Sequence, residues 1–364
     1  LDKENTKYTF NPDDVSYILT GQKYINMKER DLVKQAIIEN GAVSTVYTTD
    51  QKFSDRYVYY SEPTGSGHEV AIVGWDDNID KSLFATNGYE TPPGNGAWLI
   101  KNSWGNSAGD NGYFWMSYYE SSIQNMNAVI YEIVPADTYD NNYQYDGSTI
   151  FNHFIQNNAS YYKNEKKFAN VFKVSQTKAE ILRSVAFAVG NSNLSYTIDI
   201  YKVDTTASNI TPENGTLLTS YTGKTTYAGY YTSELPESIT LHSGDTFSVV
   251  VTFDKAAGIN YSISEYKTAD DKYTYWDVVN STASGHSYLY YYNRWVDINA
   301  ISYDMYPDAD FCIKAFTTAK TDIEASEITG IEQTDIDKAL ITWKKTSDST
   351  GYALYRKAEG DTEY

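Results

Sequence analysis

The feature that most constrains this chain is a repeat of period two. Phe247, Val249, Val251 and Phe253 alternate with Thr246, Ser248, Val250 and Thr252, and side chains that alternate between opposite faces belong to a β-strand. Similar segments recur as "LSYTIDIYKV", "ESITLHSGDTFSVVVTF" and "DADFCIKAFTT", punctuated by Gly, Asn and Asp. Many short strands with turn signals between them predict a β-sandwich or jelly roll over 138–318. No amphipathic helix interrupts that span. Tyrosine occurs 36 times, and Tyr- and Thr-rich alternating segments suit amphipathic sheet surfaces.

Residues 1–135 read differently. "NMKERDLVKQAIIENG" places Leu32, Val33, Ala36 and Ile37 on one helical face, with Gly41 just past the end, which predicts a helix with a defined stop. "AVSTVYTT" reads as a strand. "GHEVAIVGWDDN" and "GAWLIKNSWG" read as two more, joined by an Asn/Gly/Pro-rich stretch that predicts a long hairpin loop. "AGDNGYFWMSYYE" supplies a turn at Asp110–Gly112 and a last strand. From residue 319 onward, "KALITWKKTSDSTGYALYRKAEG" predicts a strand with a central Trp343, a turn, and another strand opening at Gly351–Tyr352.

A chain of 364 residues exceeds one ordinary core, in keeping with three regions, 1–135, 138–318 and 319–364. Its net charge is −19, from 48 acidic and 29 basic residues, which argues against a nucleic-acid partner. No apolar run reaches the length of a membrane span. One cysteine permits no intrachain disulfide. A start at Leu1 and an end directly after a strand-like run lead us to expect a piece of a longer protein, without its signal peptide.

Three residues have the types needed for thiol chemistry. A histidine at a strand end can act as base toward a thiol or pair with it as imidazolium. An amide oxygen can fix the orientation of that ring, and an indole beside the amide keeps water away. His68, Asn102 and Trp104 fit these roles. Singly, each has a plainer reading, as a satisfied histidine or as part of an Asn-Ser-Trp-Gly turn.

In combination, "GHEVAIVGW" followed by "GAWLIKNSWGNSAGDNGYFWMSY" resembles the second half of papain-like cysteine peptidases, over roughly residues 10 to 120. The resemblance implies the β-barrel half of a papain-like α+β fold, with His68 as catalytic base, Asn102 as its orienting partner and Trp104 as the shielding indole. The family's nucleophile precedes the histidine by well over a hundred residues, at a helix N-terminus that lowers the thiol pKa. Neither that cysteine nor the oxyanion-hole glutamine lies between Leu1 and His68. Cys312, alternating with Phe311 and Ile313, reads as a small buried strand residue. The expectation is therefore no nucleophile in this chain and no activity for the chain alone. Its expected partners are a protein or peptide substrate and a Cys-bearing N-terminal segment, from the same precursor or as a separate chain.

Residues 138–318 resemble the lectin-like domain that follows the peptidase domain in some secreted bacterial papain-like enzymes. "KKFANVFKV", "LRSVAFAV" and "GHSYLYYYNRWVDI" carry this resemblance, which implies a secreted or cell-surface location. Among crowded aromatics, Trp276, Tyr290, Tyr292 and Trp295 are candidate carbohydrate contacts, since exposed rings stack on sugars. Period two equally allows half of them to point into the core, and packing against the peptidase region is an equal alternative. Residues 319–364 resemble the first half of a fibronectin type III domain, an incomplete Ig-like sandwich. "DDNID" (76–80) and "DADF" (308–311) lack EF-hand spacing. No metal and no cofactor are expected.

The expected fold class is multidomain and mainly β. The expected function is a fragment of a secreted bacterial papain-like cysteine endopeptidase. The alternatives are an inactive remnant that binds carbohydrate or a surface, and a pseudo-peptidase that holds peptides without cutting them.

Overall fold

A computed structural model describes residues 15–49, 56–59, 62, 65–85, 90–146, 153–154, 164–176, 178–207, 209–262, 284–300, 309–320, 327–335, 338–344 and 354. The chain is multidomain and mainly β. Its first part contains β1 (Tyr17–Asn26), α1 (Arg30–Asn40), β2 (Val43–Thr48), β3 (Tyr57–Val58), β4 (Gly67–Asp76), β5 (Ala97–Lys101), β6 (Tyr113–Ser117) and β7 (Asn127–Pro135). The helix buries Val33, Ala36 and Ile37, spaced i, i+3 and i+4 as one apolar stripe requires. Leu32, expected on that face, is exposed, because each residue turns about 100° and Leu32 falls off the narrow buried arc. Gly41 closes the helix at φ 81, its N–H donating to the Ile37 carbonyl.

β6 is not the last strand of this part. β7 follows it and lies between β2 and β1 in the sheet. Both β1 and β7 escaped the period-two reading. β1 shifts register between Leu19 and Gly21, so a bulge breaks its alternation. β7 leaves Tyr131 and Ile133 exposed, so apolar residues occupy both of its faces.

The second part contains β8 (Asn141–Tyr143), β9 (His153–Phe154), β10 (Lys167–Lys173), β11 (Glu180–Val189), β12 (Leu194–Val203), β13 (Gly215–Thr225), β14 (Ala228–Leu241), β15 (Thr246–Phe253), β16 (Asn260–Ser262), β17 (Ser287–Tyr291), β18 (Arg294–Asp297), β19 (Asp310–Phe311) and β20 (Ile313–Ala319). One sheet runs β3-β6-β5-β4-β2-β7-β1-β14-β11-β20-β8, and a second runs β13-β12-β15-β10-β17-β18. The far end of the first sheet faces the second across a core that includes Phe168, Phe172, Leu182, Phe187, Ile198, Phe247, Val251 and Ile313. That is a sandwich. Of the alternate set on β15, Ser248 and Val250 are buried too. β15 is central in its sheet, and Ser248 Oγ donates to the Pro212 carbonyl of the connection before β13.

β1 joins the two parts. It pairs antiparallel with β7 from Tyr17↔Pro135 to Asn26↔Asn127, and with β14 from Gly21↔Tyr231 to Tyr24↔Ala228. A separate core under α1 gathers Ile25, Val33, Tyr47, Ile72, Trp98, Ile100, Phe114 and Met116. Leu1–Thr318 forms one compact unit and Ala319–Tyr364 another. Within the latter, β21 (Ile328–Asp335) and β22 (Lys338–Trp343) form a hairpin. Trp343, expected at the centre of its strand, is the exposed last residue of β22. Gly351 and Tyr352 lie outside the described residues. Among those described, no helix is long and apolar enough to cross a membrane.

Candidate active site

His68 is the second residue of β4, and antiparallel pairing sets it opposite Tyr47 on β2. Asn102 follows the end of β5, the strand on the other side of β4. Its backbone N–H donates to the Gly112 carbonyl at 2.9 Å, so the "KNSWGNSAGDNG" segment folds back on itself. Gly112 makes that return possible. It sits at φ 87, and a Cβ there would lie 3.2 Å from the Gly105 carbonyl oxygen, a conformation and an approach that favour glycine.

The fold brings His68, Asn102 and Trp104 together. His68 Nε2 lies 2.8 Å from Asn102 Oδ1, and that same oxygen accepts the Ser103 N–H at 2.8 Å. A group accepting a backbone N–H is the amide oxygen, not the amide nitrogen. An amide oxygen only accepts, so Nε2 carries the imidazole proton and Nδ1 is left for chemistry. The Trp104 indole stacks on the imidazole, with ring centroids 4.7 Å apart and planes 22° apart. Trp104 is nevertheless 47% exposed. It lies on the imidazole at the surface rather than as part of the core.

On the inner side, the Tyr47 ring meets the imidazole edge-on at 5.8 Å and packs against Phe114 at 5.9 Å. Neither residue stands out in the sequence as part of a site. Both look like ordinary core positions on strands, and only the β2–β4 register reveals the contact.

Cys312 lies elsewhere, between β19 and β20, packed with Ala186, Ala188, Tyr230 and Phe316. It is fully buried, and burial together with the Asp146 carboxylate pushes its thiol well above the ordinary value. Such a thiol is a poor nucleophile. Two residues on, Lys314 of β20 forms a buried ion pair that the sequence did not signal, its Nζ 2.8 Å from Asp146 after β8.

The candidate aromatic contacts are only partly assembled. Tyr290 and Trp295 face each other across the β17–β18 hairpin at 5.3 Å, with Lys167 Nζ 5.0 and 5.4 Å from the two ring centroids. Trp295 Nε1 donates to Glu213 at 2.9 Å. Tyr292 is strongly exposed at the hairpin turn, with φ 46, while Trp276 lies outside the described residues. His286, expected in a plain turn, stacks on Tyr145 at 3.8 Å, and burial lowers its pKa. His242 stays exposed beside Asp245. In "DDNID", Asp77 accepts from Lys34 and Tyr118, which hold its carboxyl below the ordinary range, and Asp80 caps Ser82. Among the described residues, no group of three or more His, Cys, Asp or Glu is arranged to hold a metal.

Comparison with known proteins meets this geometry. Residues 2–133 match the profile of the papain family cysteine proteases, and residues 143–317 match the lectin-like domain. The chain thus carries, in this order, a stretch similar to the papain family and a stretch similar to the lectin-like domain. Its fold is similar to that of a clostridial cysteine protease, Cwp84, solved after propeptide cleavage. The TM-score is 0.64 at 27% identity, covering 84% of this chain and 72% of that one. It is equally similar, at 0.64 and 26% identity, to the cysteine protease and lectin-like domains of Cwp84, described as a surface layer associated protein of Clostridium difficile. That match covers 84% of this chain and 64% of the other. Cathepsin B-like protease 1 of Arabidopsis thaliana is 30% identical over 98 residues, 26% of this chain and 22% of that protein. The chain thus spans less than a quarter of the length of that curated relative.

Proposed function

We propose that this chain supplies the histidine–asparagine half of a cysteine endopeptidase site, and that the nucleophilic thiol comes from outside the sequence given. The observation that carries this reading is the 2.8 Å bond from His68 Nε2 to Asn102 Oδ1 beneath the stacked Trp104. Asn102 holds the ring and fixes its tautomer. Nδ1 then takes the proton of an incoming thiol, giving a thiolate–imidazolium pair. The thiolate attacks the peptide carbonyl, and His68 protonates the leaving amine. The neutral imidazole then takes a proton from water, which releases the acyl group from sulfur. With Cys312 buried and its thiol disfavoured as an anion, this chain by itself is inactive.

The test extends the coding region upstream of Leu1 until it includes a helix-opening Cys-Trp, with a glutamine shortly before it. The expressed protein should be labelled at that cysteine by an epoxide inhibitor and should hydrolyse peptides. His68→Ala should lower turnover by roughly a thousandfold, the scale of general acid–base catalysis. A protein with serine or glycine at that position, or a His68→Ala variant of unchanged activity, refutes the reading.

One observation favours a second role in the lectin-like part. Tyr290 and Trp295 form a half-exposed aromatic corner rimmed by Lys167 and Glu213, a combination suited to stacking and hydrogen bonding with a sugar. Cell-wall polysaccharide should quench tryptophan fluorescence, and Trp295→Ala should abolish saturable binding. Binding unchanged in that variant removes the corner from consideration. A cell-surface location follows the same reading, supported by the surface-layer association of Cwp84.

A further inference from the structure

The contacts on the inner side of His68 involve no residue of the catalytic set. Tyr47 stands directly opposite His68 in the β2–β4 ladder, is fully buried, and meets the imidazole edge-on. Its hydroxyl oxygen is buried with no hydrogen-bond partner among the described residues. A buried phenol without a partner is costly, and phenylalanine would fill the same space more cheaply. The hydroxyl therefore invites a specific account.

Glu120, just after β6, has a fully buried side chain. Its Oε1 accepts the Ser122 N–H at 3.2 Å and the Ser122 hydroxyl at 2.8 Å. Ser122 Oγ in turn accepts the Thr48 N–H at 3.0 Å. Thr48 follows Tyr47 and pairs with Gly67, as Tyr47 pairs with His68. The carboxylate is thus tied through one serine to the backbone rung beside the imidazole. Its charge also acts on Tyr47, whose pKa is raised by burial first and by Glu120 second.

We infer that Tyr47 and Glu120 are positioning residues for His68, the tyrosine bracing the imidazole edge-on and the anchored carboxylate holding the β2 rung that carries the tyrosine. The inference rests on the catalytic reading of His68. A ring held by stacking on its face and by a buried ring at its edge keeps the orientation that proton transfer requires.

Other charged groups near this network can be named among the described residues. Tyr59, after β3, feels both Glu120 and Glu90. Arg30 of α1 stacks on Tyr118 and Tyr119, which precede Glu120. Glu69 follows His68 on the opposite face of β4, where it accepts from Ser44 Oγ at 2.7 Å.

The test reads the imidazole directly and needs no thiol. Histidine ring N–H signals of the full chain are recorded by NMR, with His68 assigned by its loss in His68→Gln. Tyr47→Phe should keep the slowly exchanging Nε2 proton, because the ring edge remains. Tyr47→Leu should broaden or lose it. Glu120→Ala should broaden it as well, because the Thr48 rung loses its anchor through Ser122. An Nε2 proton as sharp in Glu120→Ala as in the parent chain overturns the anchoring. An Nε2 proton as sharp in Tyr47→Leu as in the parent chain overturns the bracing. If Tyr47→Leu fails to fold, Trp104→Ala with and without Tyr47→Phe decides, and the double variant should be no looser than the single. If these signals behave as expected while His68→Ala leaves the extended peptidase active, the catalytic reading fails and the support network stands.

Discussion

Gly229 on β14 passes so close to Gln22 on β1 that a Cβ on the glycine would lie 2.0 Å from the Gln22 carbonyl oxygen. This approach fuses the peptidase-like and lectin-like sheets. One residue along, Lys23 pairs with Glu132 on β7 and places its ammonium 5.6 Å from the Tyr231 ring on β14. A single strand therefore contacts both neighbours through backbone and side chain.

Gly229→Ala should destabilise the chain by about 2 kcal/mol or more, because the added carbon meets a backbone atom that no rotamer change can move. Gly229 also sits at φ 151, in the region L side chains avoid. Gly244→Ala is the control, with φ 81 and nothing within 4 Å of the added carbon. Backbone strain alone should cost it about 1 kcal/mol. Urea unfolding of both variants checks the difference.

The buried Lys314–Asp146 pair predicts sensitivity to alkali. Burial, the largest single influence, would lower the lysine's pKa, but the Asp146 carboxylate and the Cys312 sulfur together outweigh it and the net shift is upward from 10.5. A folded-state pKa above the unfolded one adds stability in full below the unfolded value. That contribution is lost as pH rises through the raised value. The unfolding midpoint should therefore fall above roughly pH 10.5, and a Lys314→Met, Asp146→Leu double variant should lack this component. Asp146→Leu alone should cost about 3–5 kcal/mol by stranding a buried charge.

Cys312 should be inert to thiol reagents in the folded chain and react fully in denaturant. A colorimetric disulfide reagent measures both states. Fast reaction of the native protein would contradict the buried, fully protonated thiol.

On the proposed reading, Asn102→Ala in the upstream-extended protein should lower kcat about tenfold, the effect of losing a hydrogen bond to a charged ring. Its loss should be smaller than that of His68→Ala, because orientation is impaired while proton transfer survives. Steady-state kinetics of the two variants under identical conditions gives the comparison.

The parts legible in the sequence are those set by local pattern. α1 and its stop at Gly41 follow from spacing and from one residue that tolerates positive φ. β2, β4, β5 and β15 follow from alternation or unbroken apolar runs. β1 was invisible because its bulge interrupts the period. β7 was invisible because Tyr131 and Ile133 make both faces apolar. At the candidate site, the pattern from His68 to Trp104 was readable, whereas Tyr47 and Glu120 were not. A tyrosine on a strand and a glutamate before a turn acquire their positions only when β2 registers against β4 and Ser122 bridges to Thr48.

By itself, the sequence determined the mainly β character, the helix and its end, and the spacing from His68 to Asn102 and Trp104. The strands and the helix depend on neighbours within a few positions, where side-chain periodicity and backbone preference act directly. The tertiary structure alone decided that Asn102 Oδ1 meets Nε2 rather than Nδ1. It also decided that Tyr47 lies against the imidazole, that Lys314 finds Asp146, and that β1 unites two sheets. Each depends on strand register and on close approach between segments distant in the chain, which local pattern does not encode.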